Sequence, residues 1–358
     1  MRRLLIVLTV ICCATCFAQP QPAPAIKDFI RVPPGIIALE HVRVIDGTGA
    51  AAKADQTILI SGDKIAAIGN PGSVEIPADA NRLDLSGYSA LPGLVGMHDH
   101  LFYPAGGGLY HDMPFSFPRL YLAAGVTTIR TTGNIEPYVD LEIKRSIDAG
   151  KVPGPKINVT APYLEGAGTL IAQLHQLSGP DDARKTVGYW ADEGARSFKA
   201  YMYITRAELK AAIDAAHARG LKITGHLCSI GFREAAELGI DDLEHGLEVD
   251  TEFFPDKQPD VCPNATQAAA AAAKLEISSE PIRAMIRSLV AHHVAVTSTL
   301  PVFEQGVPNR PDEPQRVLDY KRRANRCSGD MLGRSRTCHL PSRGSQGSRR
   351  RRCRCLFW

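Results

Sequence analysis

The chain has 358 residues, of which 44% are hydrophobic and 22% are charged, as in ordinary globular proteins. The formal net charge of +3 is unevenly spread, because residues 323–358 contain ten Arg and a single acid, Asp330, whereas residues 19–322 hold 29 basic and 37 acidic residues, a net charge of about −8. An acidic main part argues against a nucleic-acid partner. The length allows one large α/β barrel with a small accessory domain, or two medium domains.

The first 18 residues have the pattern of a signal peptide. Arg2 and Arg3 precede the apolar run LLIVLTVICCATCF, which is shorter than the roughly 20 residues that a transmembrane helix needs. The small residues Cys16 and Ala18 occupy the positions that a signal peptidase recognises. We therefore expect cleavage after Ala18, no membrane span, and a secreted or periplasmic protein. An uncleaved anchor is the alternative.

Cysteine usage leaves one pairing open. Of the nine cysteines, only Cys228 and Cys262 lie between the leader and the basic tail. A disulfide between them is permitted in an oxidising compartment, but nothing in the sequence requires it.

A small β unit follows a Pro-rich linker, residues 19–35. Residues 36–88 contain short apolar stretches separated by Gly47, Gly62 and Gly69, a pattern that predicts strands joined by tight turns.

Residues 89–322 alternate short apolar strands with helical stretches. We predict seven strands, at residues 94–100, 126–132, 156–162, 197–202, 222–227, 241–246 and 294–299. We also predict helices over residues 206–220 and over the Ala-rich residues 267–276. Alternation of this kind indicates a parallel sheet, and seven units without a Gly-rich phosphate loop favour a (β/α)8 barrel over an open sheet. An eighth unit is missing from the pattern.

Five residues that could bind metal fall at or near the carboxyl ends of these strands, where barrel enzymes build their active sites. They are His98, His100, Lys199, His226 and His245. Alone, each histidine would more often be a hydrogen-bonded core residue, and the lysine an ion-pair partner at the barrel edge. His98 and His100 are two residues apart on one strand, so their side chains point the same way. We interpret His217 and the pair His292-His293 as structural.

Together these motifs resemble the amidohydrolase superfamily. ALPGLVGMHDHL is similar to the family's first barrel strand, GARSFKAYM to the strand that supplies a lysine, and KITGHLCS and GIDDLEHG to the two following histidine strands. HVRVIDGTG and ILISGDKIAAIG resemble its N-terminal β-sandwich. The resemblance covers residues 36–300, with prolidase-like and imidazolonepropionase-related members most similar. It implies a (β/α)8 TIM-type barrel with a small N-terminal β-sandwich domain.

The resemblance also implies a binuclear metal site. His98 and His100 would bind one divalent ion and His226 and His245 the other, with zinc as the expected metal. Lys199, carboxylated by CO2, would bridge the two ions, and a bridging water would lose a proton to become the nucleophile. Mononuclear deaminases of the superfamily have a Glu where this chain has Ser229, so the hydrolase branch fits better.

One expected residue is not found. Family members carry an Asp after the eighth strand, and Asp330 in the basic tail is a poor candidate for that role. We interpret residues 323–358 as an aberrant tail from an out-of-frame read or a truncation.

Three functions follow as hypotheses. The first is a metal-dependent hydrolase of C–N bonds acting on a small amide, such as an Xaa-Pro dipeptide or an N-acyl amino acid. The second is an inactive product without the strand-eight Asp, which we expect to be poorly soluble. The third, weaker hypothesis is a polyanion binder that uses the basic tail. Substrate identity and oligomeric state stay open.

Overall fold

The computed structural model describes residues 26–106, 108–169 and 171–304. The proposed signal peptide, most of the linker, Asp330 and the basic tail lie outside the described residues. The described residues divide into two compact units, one within residues 26–94 and 144–156 and one within residues 95–143 and 157–304. The domain boundaries drawn from the sequence stay predictions.

The first unit contains a five-stranded sheet. A 3-10 helix, Ile26–Phe29, precedes strands β1 (Ile36–Val44), β2 (Lys53–Ser61), β3 (Lys64–Gly69), β4 (Asn81–Asp84) and β5 (Ser89–Ala90). The order is β3-β2-β1-β4, with β5 also paired to β1; β1 and β4 run parallel, whereas β1, β2 and β3 are antiparallel neighbours. Val42, Val44 and Ile58 form its core. The described residues of this unit form a single sheet. They do not show the second sheet that the predicted β-sandwich requires.

The tight turn between β2 and β3 depends on glycine. Gly62 has a φ of 61°, in the left-handed region that glycine enters without a steric cost. Gly69, in contrast, is the last residue of β3 rather than part of a turn.

The second unit alternates strands and helices in the predicted way. The strands are β6 (Leu94–Asp99), β7 (Phe102–Gly106), β8 (Leu109–Asp112), β9 (Val126–Thr131), β10 (Lys156–Asn158), β11 (Ser197–Ala200), β12 (Lys222–Gly225), β13 (Asp242–Glu244) and β14 (Ala295–Thr297). The helices are α1 (Phe117–Ala123), α2 (Pro137–Asp148), α3 (Pro180–Glu193), α4 (Arg206–His217), α5 (Phe232–Leu238), α6 (Ala265–Ala272), α7 (Glu280–Ala291) and α8 (Leu300–Glu304).

All seven predicted strands of the second unit are present, although each is shorter than predicted. Three form a sheet in the order β10-β9-β6, and four form the parallel sheet β11-β12-β13-β14. Bridges from Thr160 to Ser197 and from Leu164 to Ala200 link the two sheets beyond the end of β10. The described residues therefore form a seven-stranded array; they show neither barrel closure nor an eighth strand.

Local sequence signals explain where the helices begin. Thr205 and Glu208 form a reciprocal capping box at the start of α4, which confirms the helix predicted there. The Ala-rich helix was predicted over residues 267–276, but α6 begins two residues earlier because the Asn264 side chain accepts hydrogen bonds from the next backbone amides. It ends at Ala272, so the last four predicted residues are not helical. The hairpin of β7 and β8 was not predicted.

The core of the second unit lies between the four-stranded sheet and its helices. It is built from aliphatic and aromatic side chains that are almost fully buried, among them Phe198, Leu209, Ile213, Ile223 and Leu243. Burial of such side chains is the main stabilising contribution to the fold. Within the described part of the chain, no helix has the length and apolar character needed to cross a membrane.

Candidate metal centre

The five predicted ligand residues come together at the carboxyl ends of the strands. His98 is on β6 and Lys199 on β11, while His100, His226 and His245 each follow directly after β6, β12 and β13. Ring centroids are 4.7 Å apart for His98 and His245, 4.3 Å for His226 and His245, and 5.2 Å for His98 and His100. Four imidazoles from three strands thus form one contiguous cluster.

A buried carboxylate fixes the orientation of His98. Glu244 is 0% exposed, and its Oε2 lies 2.6 Å from Nδ1 of His98. Its other oxygen, Oε1, accepts hydrogen bonds from Arg130 Nη2 at 2.8 Å and from Thr224 Oγ1 at 2.8 Å. Because the carboxylate accepts all three bonds, Nδ1 of His98 donates, and its Nε2 keeps a free lone pair.

The same network reaches a second carboxylate. Asp242 Oδ2 lies 3.2 Å from Arg130 Nη2 and accepts from Thr224 and Thr297, while Arg130 Nε donates to the backbone oxygen of Met97 at 2.7 Å. One guanidinium therefore joins the β6 backbone to two inward-facing carboxylates of β13, a fully partnered buried network that rigidifies the strand ends.

The second part of the cluster is held by neutral groups. His245 Nε2 lies 3.1 Å from His226 Nδ1, and His245 Nδ1 lies 2.7 Å from Thr299 Oγ1. The backbone of His245 has a φ of 72°, a conformation that costs a residue with a side chain of order 1–3 kcal/mol and that concentrates at functional sites. Here it carries the imidazole from the end of β13 toward His226.

The cluster keeps its imidazoles neutral. Desolvation by burial lowers the pKa of His98 and His226 to about 2 and that of His245 to about 3, with the Lys199 ammonium adding to the effect. Burial likewise lowers the pKa of His100 well below its ordinary value. Neutral imidazole is the form that binds metal ions.

Lys199 is buried beside this cluster. Its residue is 1% exposed, and burial lowers the pKa of its amine to about 8, although the nearby Glu244 carboxylate opposes the shift. Its Nζ lies 5.6 Å from the centre of the Tyr163 ring.

Aromatic side chains border the centre on one side. His100 packs on Phe102 with centroids 4.6 Å apart, and His226 packs edge-on against Tyr201 at 5.1 Å. Tyr163 lies between them, 4.4 Å from Tyr201 and 6.4 Å from His100. This wall restricts water on that side and strengthens electrostatic interactions inside.

The donor set suits divalent ions of the zinc type. Four neutral imidazoles and one buried amine offer nitrogen ligands, and the buried Nδ1 of His100 has no hydrogen-bond partner among the described residues. Within those same residues, no three His, Cys, Asp or Glu side chains are placed as ligands of one ion. The residues therefore fit a metal ion by the chemistry of their donor atoms.

The sequence analysis missed Glu244 and Arg130. Glu244 directly precedes His245 in the motif GIDDLEHG, and it shares the inward face of β13 with Asp242 because side chains alternate along a strand. Two acids on the inward face of one short strand could have predicted that a buried cationic side chain pairs with them. Arg130, one of many arginines, gave none.

The open question about the cysteines is answered by the structure. Cys228 and Cys262 form a disulfide with a Cα–Cα distance of 4.9 Å, across 34 residues of sequence. It ties the segment after His226 to the loop before α6.

Comparisons with known proteins identify relatives by sequence and by fold. No family model matches the chain. Over 88 residues it is 34% identical to an imidazolonepropionase of Streptomyces avermitilis, a stretch that covers 25% of this chain and 20% of that protein. A solved structure of a presumed prolidase from Bifidobacterium longum is 27% identical, with a TM-score of 0.52 over 59% of this chain and 54% of the other.

A second solved structure matches more of the chain. A Xaa-Pro dipeptidase with bound methionine in the active site gives a TM-score of 0.55 over 74% of this chain and 79% of the other, at 18% identity. At that identity the likeness shows the fold alone, and the solved structure has a fold of the TIM-barrel type. The chain spans about a fifth of the curated relative's length and about half of the Bifidobacterium protein.

Proposed function

We propose that this chain, which is related to the amidohydrolase superfamily, is a metal-dependent hydrolase that cleaves C–N bonds in small amides. The observation that carries the proposal is the cluster of four neutral imidazoles and one buried lysine at the carboxyl ends of the strands. A structural role alone does not explain why so many titratable groups share one buried site.

His98 and His100 would hold one divalent ion and His226 and His245 another, with Lys199 between them. When bound, such ions polarise the scissile carbonyl and lower the pKa of water to near neutral. Zinc is among the divalent ions that imidazole ligands suit.

The protein's own groups then have distinct tasks. Glu244 holds the Nδ1 proton of His98 and so presents Nε2 as a lone-pair donor. Thr299 hydrogen-bonds His245 and limits rotation of that ring. Phe102, Tyr163 and Tyr201 border the centre with apolar surface, which favours a substrate that is itself small and partly apolar.

Lys199 would act as a carbamate. A neutral Lys199 amine attacks CO2, a C–N bond forms, and one proton leaves to solvent. The product has anionic oxygen ligands where the ammonium would repel cations. Burial, which lowers the pKa of Lys199 to about 8, makes the neutral amine accessible near physiological pH.

The names of the relatives indicate substrate classes to try. They include an imidazolonepropionase, a Xaa-Pro dipeptidase and a prolidase in complex with N-methylphosphonate-L-proline. We propose that this chain acts on a dipeptide such as Xaa-Pro or on an N-acyl amino acid. We further propose that it works after export, since the Cys228–Cys262 disulfide suits an oxidising compartment.

The test is hydrolysis by a chain treated with chelator and then loaded with zinc. Glycyl-proline and N-acetyl amino acids should be cleaved after loading and not before. A matched control is His217→Ala, which removes a surface histidine paired with Asp241 and should leave activity unchanged. A folded, zinc-loaded chain that cleaves no member of a broad amide panel would contradict the proposal.

A further inference from the structure

A cavity of about 380 Å³ lies beside the candidate centre, and the proposed function does not use it. It is lined by the segments that follow β9 and β10, by residues 173–175 and by residues 185, 186, 189 and 190 of α3. Its volume is in the range of small-molecule sites, which begins at about 300 Å³.

The walls of the cavity are aromatic and aliphatic. Ile135 and Leu174 are 5% and 8% exposed, and they pack with Tyr163 in one apolar cluster. Trp190 closes the α3 side, where its ring contacts Tyr138 and Tyr189 at centroid distances of 5.2 and 5.0 Å. Rings of this kind bind a flat apolar group by offset or edge contacts.

One positive charge borders the cavity. Lys185 is exposed, lines the cavity, and takes part in no ion pair among the described residues. Of the other polar groups that line the cavity, His175 bonds Asp182 and Gln173 bonds the backbone of Tyr110, whereas the buried Oδ1 of Asn134 has no partner among the described residues. An anionic group of a ligand could therefore pair with Lys185 without displacing a carboxylate of the described residues from it.

The cavity and the centre share a wall. Tyr163 lines the cavity, and the same ring is 6.4 Å from His100 and 5.6 Å from Lys199 Nζ. A group held in the cavity therefore lies one aromatic ring away from the cluster of potential ligands.

We propose that this cavity binds an aromatic carboxylate, with the ring between Leu174, Ile135 and Trp190 and the carboxylate toward Lys185. The inference rests on the proposed function in one respect, since it makes the aromatic acid a part of the amide substrate or its product. Binding itself does not depend on hydrolysis, so the two ideas fail separately.

The test uses phenylacetate as the probe and the fluorescence of Trp190 as the readout. The chain has two tryptophans, and Trp190→Phe shows how much of the signal comes from this position. Phenylacetate should give a saturable change that disappears in Trp190→Phe. Acetate, which lacks the ring, should bind at least tenfold more weakly, and benzyl alcohol, which lacks the charge, about threefold more weakly.

Two variants locate the site. Leu174→Phe fills the cavity and should weaken phenylacetate binding at least tenfold. Lys185→Ala, a surface change that leaves packing intact, should weaken it about threefold, as expected for an exposed charge. Lys210→Ala, an exposed lysine on α4 that pairs with Asp214, is the matched control and should change nothing.

The absence of a saturable signal overturns the inference, as does equal binding of acetate and phenylacetate. A signal that Leu174→Phe and Lys185→Ala both leave unchanged places binding elsewhere and also overturns it. If phenylacetate binds as expected while the zinc-loaded chain cleaves no amide, the inferred binding site is supported and the proposed function is wrong.

Discussion

The candidate centre has two arms, the first formed by His98 and His100 and the second by His226 and His245. Different kinds of hydrogen-bond partner support the two arms. In the first arm, His98 is held by the Glu244 carboxylate, which Arg130 and Thr224 hold in turn. In the second arm, His226 and His245 contact each other, and among the described residues the Thr299 hydroxyl is the hydrogen-bond partner that supports the pair from outside. The first arm is therefore preorganised by charge-assisted hydrogen bonds, which are about twice as strong as neutral ones, and the second by weaker neutral contacts.

This difference predicts unequal sensitivity. Removing a support of the first arm should disturb metal binding more than removing the support of the second. Replacement of Lys199, which we propose connects the two arms, should reduce metal binding most.

The largest effect is expected for Lys199→Ala. Without an oxygen ligand between the arms, the variant should lose bound metal and fall to background activity. Added formate or bicarbonate should restore part of both, because a small carboxylate can occupy the space of the lost side chain. Metal analysis and hydrolysis assays check this, with Lys210→Ala as the control. Full metal content in Lys199→Ala without additives would favour a mononuclear site.

Glu244→Gln tests the first arm. The amide still fits between Arg130 and His98, but the anionic acceptor is gone. We expect a loss of about 10–100-fold in zinc affinity, measured by competition with a chelating dye on protein that circular dichroism shows to be folded. A variant that binds zinc as tightly as the parent would show that the carboxylate has only a structural role.

A third prediction concerns acid stability. Burial holds the pKa of His226 at about 2, below the ordinary 6.5, so the unfolded chain binds more protons between these values. The contribution of His226 to the unfolding free energy of the chelator-treated chain therefore falls as the pH drops below about 6.5, whereas Asp140 and Glu165, whose pKa burial raises to about 7, contribute in the opposite direction. Denaturant titrations from pH 6.5 to 4.5 give the slope of the unfolding free energy against pH. His226→Gln should reduce this slope by the equivalent of up to one proton, about 1.4 kcal/mol per pH unit.

Thr299→Val is the control for that slope, since it alters the same arm without removing a titrating group. An unchanged slope in His226→Gln would mean that the ring is not buried as a neutral group.

Thr299→Val is also the smallest expected effect on binding. It removes one neutral hydrogen bond to His245, worth about 1 kcal/mol, so zinc affinity should fall by about fivefold. A loss larger than that of Glu244→Gln would reverse the comparison of the two arms.

Much of this arrangement follows from the sequence because it depends on local pattern. The seven strands of the second unit follow from apolar stretches between helical ones, and the approach of the histidines follows from strand ends meeting at one edge. His98 and His100 could be paired from their spacing alone.

The contacts that could not be predicted from the sequence join residues far apart along the chain. The contact of Glu244 with His98 joins residues 146 positions apart, and that of Arg130 with Glu244 joins residues 114 apart. No spacing rule reports such pairs. The Cys228–Cys262 disulfide was left open for the same reason, since two cysteines become partners only when the fold brings their Cα atoms within about 7 Å.

The measurement that tests the central claim most directly is the zinc content of the folded chain beside that of the double variant His98→Ala, His100→Ala. After equilibration with zinc and removal of free metal, the parent should retain up to two ions per chain, and the double variant should lose the ion of the first arm. Circular dichroism should show both to be folded. Equal zinc content in the two proteins would contradict the assignment of this cluster as a metal centre.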